Sequence, residues 1–234
     1  MRARRAAVRV VALACALALA LAGPVAGGAP AATPVPPQAP TPPSVPPSPA
    51  RSAAADRAAS AIVAAAHAQI GITLVYDPSY VRLEYPGGDV PPERGVCADV
   101  VIRALRAAGV DLQQAVHEDM RRHFAAYPQN WGLARPDRSI DHRRVPNLET
   151  WFRRAGHALP ATTDPADYRP GDLVSWRLPG NLPHIGVVST RRVPGTDRHL
   201  VVHNIGAGTR AEDVLLAWTP VGHFRLGAPE DGTR

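Results

Sequence analysis

Apolar residues recur at helical spacing between Ala53 and Gln69, where Ile62, Val63 and Ala66 share one face of an alanine-rich stretch ended by Gly71. This spacing predicts a first helix. From Thr73 to Tyr85, β-formers are mixed with Pro78, which predicts extended or irregular chain, and Pro86-Gly87-Gly88 with Pro91-Pro92 predicts a loop. After Gly95 the period is helical again: Val100, Val101, Ala104, Leu105 and Ala108 fall on one face, and Gly109 closes the run. Cys97 therefore lies in the first turn of a buried helix. Further helices are expected over 112–127 and 145–155. The last third changes period. Asp172–Trp176, His184–Ser189 and Leu200–His203 are short apolar or alternating runs bounded by Gly, Pro and Asn. They predict strands joined by turns at Leu178-Pro-Gly-Asn and Pro194-Gly-Thr-Asp, with Val214–Trp218 and His223–Leu226 as further strands. Helices first and an antiparallel sheet afterwards is an α+β order.

The first fifty residues do not fit this pattern. Met1–Arg9 holds four arginines and no acid, Val10–Ala22 is an unbroken apolar run of thirteen residues, and small residues follow at Ala26–Ala29. A basic start, a short apolar stretch and a small-residue exit describe a secretory signal peptide. Thirteen residues fall short of the ~20 that span a bilayer, so no stable span is expected after cleavage between Ala26 and Ala32. The expected organisation is a signal peptide over 1–28, a disordered Pro/Ala-rich linker over 29–50, and one compact domain over 51–234. The expected location is periplasmic or extracellular. Loss of the signal's four arginines lowers the formal net charge from +6 to +2. All 26 basic residues are arginine, scattered in pairs without interleaved aromatics, which argues against a nucleic-acid partner.

Of the two cysteines, Cys15 leaves with the signal, so Cys97 is the one thiol of the mature chain and an internal disulfide is excluded. A helix N-terminus and a neighbouring imidazolium both favour the thiolate, the form that attacks carbonyl carbon. His184 opens an apolar strand, and His203 ends the next one before Asn204. Adjacent antiparallel strands bring two such side chains together, one as base and the other as its orienter. Taken singly, a buried cysteine is more often a small hydrophobe and a strand histidine a hydrogen-bonded structural residue. The ordered set of Gly-x-Cys, Pro-His-Ile-Gly and His-Asn favours a site.

These residues are similar to the NlpC/P60 branch of papain-like cysteine peptidases, in which the corresponding positions are nucleophile, base and orienting polar residue. More closely, the chain from about Ala64 to Leu226 resembles the DUF1287 family of exported bacterial proteins, the YijF-like group. The stretches that carry it are Gly95-Val-Cys-Ala-Asp-Val-Val-Ile-Arg-Ala, Val116-His-Glu-Asp-Met, Ile140-Asp-His-Arg-Arg-Val-Pro-Asn-Leu, Leu178-Pro-Gly-Asn-Leu-Pro-His-Ile-Gly and His203-Asn-Ile-Gly-Ala-Gly. The resemblance implies a papain-like domain with the nucleophile on a helix N-terminus packed on an antiparallel sheet. It also implies a Cys97-His184-His203 triad acting on peptide or amide bonds of cell-wall peptidoglycan. Ala98-Asp99 departs from the Ser-Gly usual in the NlpC/P60 branch.

Other residues are candidates around this centre. Tyr85, twelve residues ahead of Cys97, stands where NlpC/P60-like enzymes place an oxyanion-stabilising tyrosine; the alternative is a loop tyrosine. Asp99 is a cap or a cleft residue. His117, Asp119, Asp141, His142, Arg143 and Arg144 line a groove in which arginines meet substrate carboxylates, or else form an internal salt-bridge network. On a strand His203 and Asn204 face opposite ways, so one of them orients His184, and His203 matches the family pattern. No cofactor or metal is expected, and the expected state is a monomer. Rival functions are a zinc site built on Cys97, His184 and His203 with Asp99 or Asp141, an inactive cell-wall-binding relative, and a thiol acyltransferase.

Overall fold

A computed structural model describes residues 49–227. The expected signal peptide and nearly all of the expected linker lie outside the described residues. Helix α1 (Pro49–Ala68) starts two residues before the expected domain boundary. It is followed by α2 (Cys97–Ala107), α3 (Leu112–His123), which ends in a single 3-10 turn at Phe124–Ala126, and α4 (Val145–Arg154). Two short strands pair in parallel: β1 (Val75–Tyr76), within the stretch expected to be extended or irregular, and β2 (Arg94–Gly95), just after the expected loop.

The remaining strands are β3 (Ala158–Leu159), β4 (Leu173–Leu178), β5 (Leu182–Arg192), β6 (His199–Asn204), β7 (Thr209–Glu212) and β8 (Pro220–Phe224). They form one antiparallel sheet in the order β3-β8-β4-β5-β6-β7. Mixed α and β with an antiparallel sheet is the class that the period changes predict. The β4–β5 hairpin turns at Pro179–Asn181, with Asn181 in the left-handed region at φ 60°. Val214–Trp218 is not a strand: it is a turn segment, and its Leu215 is fully buried while the Leu215 carbonyl accepts the Trp176 indole N–H at 3.1 Å. Its apolar run covers the sheet instead of extending it. Strand β7, Thr-Arg-Ala-Glu, was not among the expected elements.

Strand alternation divides the core. On one face, Leu173, Ile185, Val187, Val202 and Phe224 pack with the buried sides of α1, α2 and α4. On the other, Val174, Trp176, Val188 and Val201 pack with Tyr168 and Leu215. Strand β5 is the axis of the fold, since α1, α2 and α4 all lie against it.

Gly186 on β5 is one of the places where the sheet is too close for a side chain. A Cβ there would stand 2.6 Å from Val201 Cγ1, 3.0 Å from the Val202 carbonyl oxygen and 3.1 Å from His203 Cβ. Gly186→Ala is therefore expected to lower the free energy of unfolding by about 1–3 kcal/mol through overpacking, read from urea unfolding curves. A loss within error would mean that β6 moves aside freely.

Candidate active site

The site is built where the regular pairing of two strands ends while their side chains stay in contact. Strands β5 and β6 are paired at Val187–Val202 and Val188–Val201, and this pairing does not continue to residues 184–186. The first turn of α2 meets the sheet there. Asn204 donates from Nδ2 to the Gly95 carbonyl at 3.1 Å, and its Oδ1 accepts the Gly206 N–H at 3.1 Å. The backbone of Ile185 hydrogen-bonds the Cys97 thiol. Cys97 thus abuts β5 beside His184.

Helix α2 begins without a side-chain acceptor at its N-cap, because that residue is Val96. Asp99 at N3 supplies the reciprocal half of a capping box, its Oδ2 accepting the Val96 N–H at 2.6 Å. The same carboxylate is held by a forked ion pair: Arg143 Nε to Oδ1 and Nη2 to Oδ2, both at 2.9 Å. Arg143 also donates to the Ser79 and Asp77 carbonyls at 3.2 Å. Only 2–3% of either side chain is exposed.

His184 and His203 lie on the face of the sheet shared with Trp176. His184 Nε2 is 2.8 Å from His203 Nδ1, with both residues buried. Trp176, directly across from His184 in register, stacks on its ring at 5.7 Å, and Trp218 closes another side at 6.3 Å. Glu212 Oε2, on β7, stands 2.9 Å from His203 Nε2, an ion-pair distance without the alignment of a full hydrogen bond. The structure brings the two histidines together and brings Cys97 to the backbone of Ile185, the residue after His184, while neither ring lines the cavity over the thiol. No hydrogen bond joins the thiol to either ring.

Burial dominates the protonation of these groups. It pushes the Cys97 thiol up from 9.0 to about 11, with a smaller push from the Asp99 charge, against hydrogen bonds from the backbone of Ile185, Ala98 and Cys97 itself. Burial pulls His184 down to about 3, helped by His203, and lowers His203 against the opposing pull of Glu212. This corrects the expectation of an ionised thiol. At rest the thiol and the imidazole are both neutral.

A cavity of about 230 Å³ opens over Cys97, walled by Tyr76, Trp131, Val145 and Pro183 with Arg144 at the rim. Arg144 stacks over the Trp131 ring at 4.1 Å and gives Nη1 to Asp141 at 2.9 Å. Tyr76 is near enough to the thiol for their charges to oppose each other; burial first, then Cys97 and Asp99, push its phenol up to about 12.

A family model described as "Domain of unknown function (DUF1287)" matches residues 63–226, a span that holds Cys97, His184, His203 and Glu212. The chain belongs to the DUF1287 family. This DUF1287 chain is similar to the uncharacterized protein YijF of Escherichia coli (strain K12), with 63% identity over 166 residues that cover 70% of this chain and 80% of that protein. No solved structure matches it.

Several expected site residues of the DUF1287 domain lie elsewhere. Tyr85 packs edge-on against His117 at 5.2 Å and under the Arg138 guanidinium at 5.6 Å, away from the cavity over Cys97. Tyr76 is the tyrosine at that cavity. It arrives there because β1 pairs with β2, placing Tyr76 opposite Gly95, two residues before Cys97. Arg143 does line the cavity over Cys97, but its fork is committed to Asp99 and only 2% of its side chain is exposed. Asp141 is buried, its Oδ2 taking the Asp137 N–H at 2.5 Å, and burial raises its carboxyl above the usual range. His142 is buried away from the cavity, and burial followed by Arg143 pulls it down to about 4. Asp119 accepts from Arg154, from the Tyr127 hydroxyl at 2.7 Å and pairs with His123, so it is an internal hub. Arg144 also lines the cavity, and it has donors beyond its bond to Asp141. Among the described residues no group of three His, Cys, Asp or Glu side chains could hold a metal ion, so Cys97, His184 and His203 do not make the zinc geometry.

Three outcomes follow from these protonation states and from the ion pair. A thiol whose folded pKa is raised favours folding below its unfolded value, and that contribution is lost as pH rises through the folded one. Stability should therefore fall between pH 9 and about 11, and Cys97→Ala should remove that part of the fall in pH-dependent urea unfolding. Iodoacetamide should label Cys97, located by peptide mapping, more slowly at pH 7–8 than a free thiol. Fast labelling at pH 7 would overturn the neutral resting state. Arg143→Ala, which strands the buried Asp99 carboxylate, should cost about 3–5 kcal/mol by the same unfolding measurement.

Proposed function

We propose that this DUF1287 protein is an exported cysteine hydrolase of the NlpC/P60 papain-like type, cutting a peptide or amide bond in cell-wall peptidoglycan. The observation that carries the proposal is the buried contact of 2.8 Å between His184 Nε2 and His203 Nδ1, set beside a thiol held by the backbone of Ile185. A histidine whose Nε2 is engaged by a second ring keeps Nδ1 for proton transfer, which is the division of labour between base and orienter.

With thiol and imidazole both neutral, attack is assisted by general base. His184 Nδ1 takes the Cys97 proton as Sγ bonds to the carbonyl carbon, and the oxyanion that forms is met by N–H groups of the first turn of α2 and by the Tyr76 hydroxyl. Collapse breaks the C–N bond, and the leaving amine receives the proton from His184. Water, deprotonated by the same ring, then attacks the thioester and releases the acid and the thiol. Arg144 suits a substrate carboxylate at the rim of the cavity. Export rests on the signal-like pattern of residues 1–28, and a proline-rich linker would let the domain reach a fixed polymer.

The test is digestion of purified peptidoglycans by the protein and by its variants, with products identified by mass spectrometry. Wild type should release new peptide or amine ends, and Cys97→Ala none. His184→Ala should lower kcat by about 10²–10⁴-fold, and Arg144→Ala should raise KM while sparing kcat. Release of no product from any peptidoglycan type would overturn the cell-wall substrate. Transfer to an added amine in preference to water would make the protein an acyltransferase, and peptidoglycan binding without cleavage would make it an inactive relative.

A further inference from the structure

We infer that Glu212 is a positioning residue that fixes which way the proton lies between His184 and His203, so that the free lone pair of His184 is on Nδ1. The inference rests on the hydrolase proposal for the use of that lone pair, and on geometry alone for the proton arrangement. The 2.8 Å contact between His184 Nε2 and His203 Nδ1 holds a single proton. With both rings neutral, two arrangements are available. In one, His184 donates from Nε2 to the bare Nδ1 of His203, His203 carries its own proton on Nε2, and His184 Nδ1 is left as a base. In the other, His203 donates from Nδ1, its Nε2 is a bare lone pair, and His184 carries its proton on Nδ1, where it cannot take one from a thiol.

Glu212 distinguishes the two. Its Oε2 stands 2.9 Å from His203 Nε2. A carboxylate attracts an N–H at that nitrogen and repels a lone pair, so it favours the first arrangement and carries the preference through two rings. Among the described residues no other acid acts on His203. Trp176 and Trp218, which wall His184, are uncharged. Arg210, in register opposite His203 on β7, is a cation and would favour a lone pair. The next acid along, Asp213, is held by Arg198 through Nε at 2.6 Å and by a second donor from the same fork. His203 Nε2 is buried and makes no full hydrogen bond, so its state is set by charge at close range. The Glu212 side chain is 39% exposed, so its presence is not explained by packing.

The experiment is long-range nitrogen NMR of imidazole-labelled mature protein at neutral pH, run beside the peptidoglycan assay. Wild type should show N–H at Nε2 of both rings and a bare Nδ1 on His184. Glu212→Gln keeps the shape but loses the charge, and its amide offers a donor as readily as an acceptor. It should shift His184 toward Nδ1–H and lower kcat by about 10- to 100-fold with KM unchanged. Asp213→Asn, an equal charge loss one residue away, should leave the nitrogen pattern and kcat as in wild type. An unchanged nitrogen pattern in Glu212→Gln would overturn the inference, as would the same shift in Asp213→Asn. If wild type cleaves no peptidoglycan, the hydrolase proposal falls, and the nitrogen pattern still decides the role of Glu212.

Discussion

The forked pair between Asp99 and Arg143 is the interaction on which the site depends. One carboxylate caps α2 at the Val96 N–H, and one guanidinium reaches across 44 residues to hold that carboxylate while binding the carbonyls of Asp77 and Ser79. Three stretches that are remote in sequence converge on it: the chain leading from Tyr76, the first turn of α2 and the 3-10 turn at Asp141–Arg143. A buried ion pair recovers little net stability once desolvation is counted, and removal of one partner is costly. Its consequence is therefore position. It sets the angle at which α2 presents Cys97 to β5, and it explains why an acid stands two residues after the cysteine.

Magnitudes decide the state of the thiol. A helix N-terminus favours an anion by about 0.3–1 kcal/mol at an exposed site and about 2 kcal/mol at best. A rise from 9.0 to about 11 corresponds to about 3 kcal/mol against the thiolate, with burial as its main cause. Burial wins, and the same burial keeps His184 neutral. A neutral pair needs a base with its lone pair on the correct nitrogen, which gives tautomer control more importance here than charge control. Cys97 then resembles a serine nucleophile in its demands: the proton must leave as the bond forms.

Much of this was legible in the chain, and the parts that were not share a physical reason. Helix α2 was legible because Val100, Val101, Ala104 and Leu105 keep a 3.6 period and Gly109 ends it. Strands β4 to β6 were legible because the apolar runs are short and the Pro179–Asn181 turn is cut to hairpin length. The opposite faces of His203 and Asn204 followed from alternation, and the structure puts His203 against His184 while Asn204 reaches Gly95. Strand β7 was missed because Thr-Arg-Ala-Glu lies at the sheet edge, where polar and charged residues prevent further pairing, and Glu212 was missed with it. Tyr76 depends on a two-residue parallel bridge, for which no local periodicity exists. Arg143 and Asp99 were both visible as candidates, but an arginine in a loop carries no mark that tells a substrate partner from an internal one. Val214–Trp218 has the composition of a strand and the role of a lid on Trp176.

The residues that were illegible are those whose meaning is pairwise across the fold. Hydrophobic periodicity reports how one element meets a core, and it works because every core accepts the same chemistry. An ion pair, a proton direction or a tyrosine beside a thiol requires one partner at one distance, and the chain between them carries no trace of it. In this domain the pairs also interlock. Asn204 holds Gly95 and so the start of α2, His203 on the opposite face of the same strand meets His184, and Glu212 on the next strand meets His203. Strand β6 thus links the backbone that places the thiol to the rings that would accept its proton. A shift in its register by one residue would exchange the two faces and separate both contacts at once, which is why the close approach at Gly186, directly beneath His203, constrains the chemistry as well as the sheet.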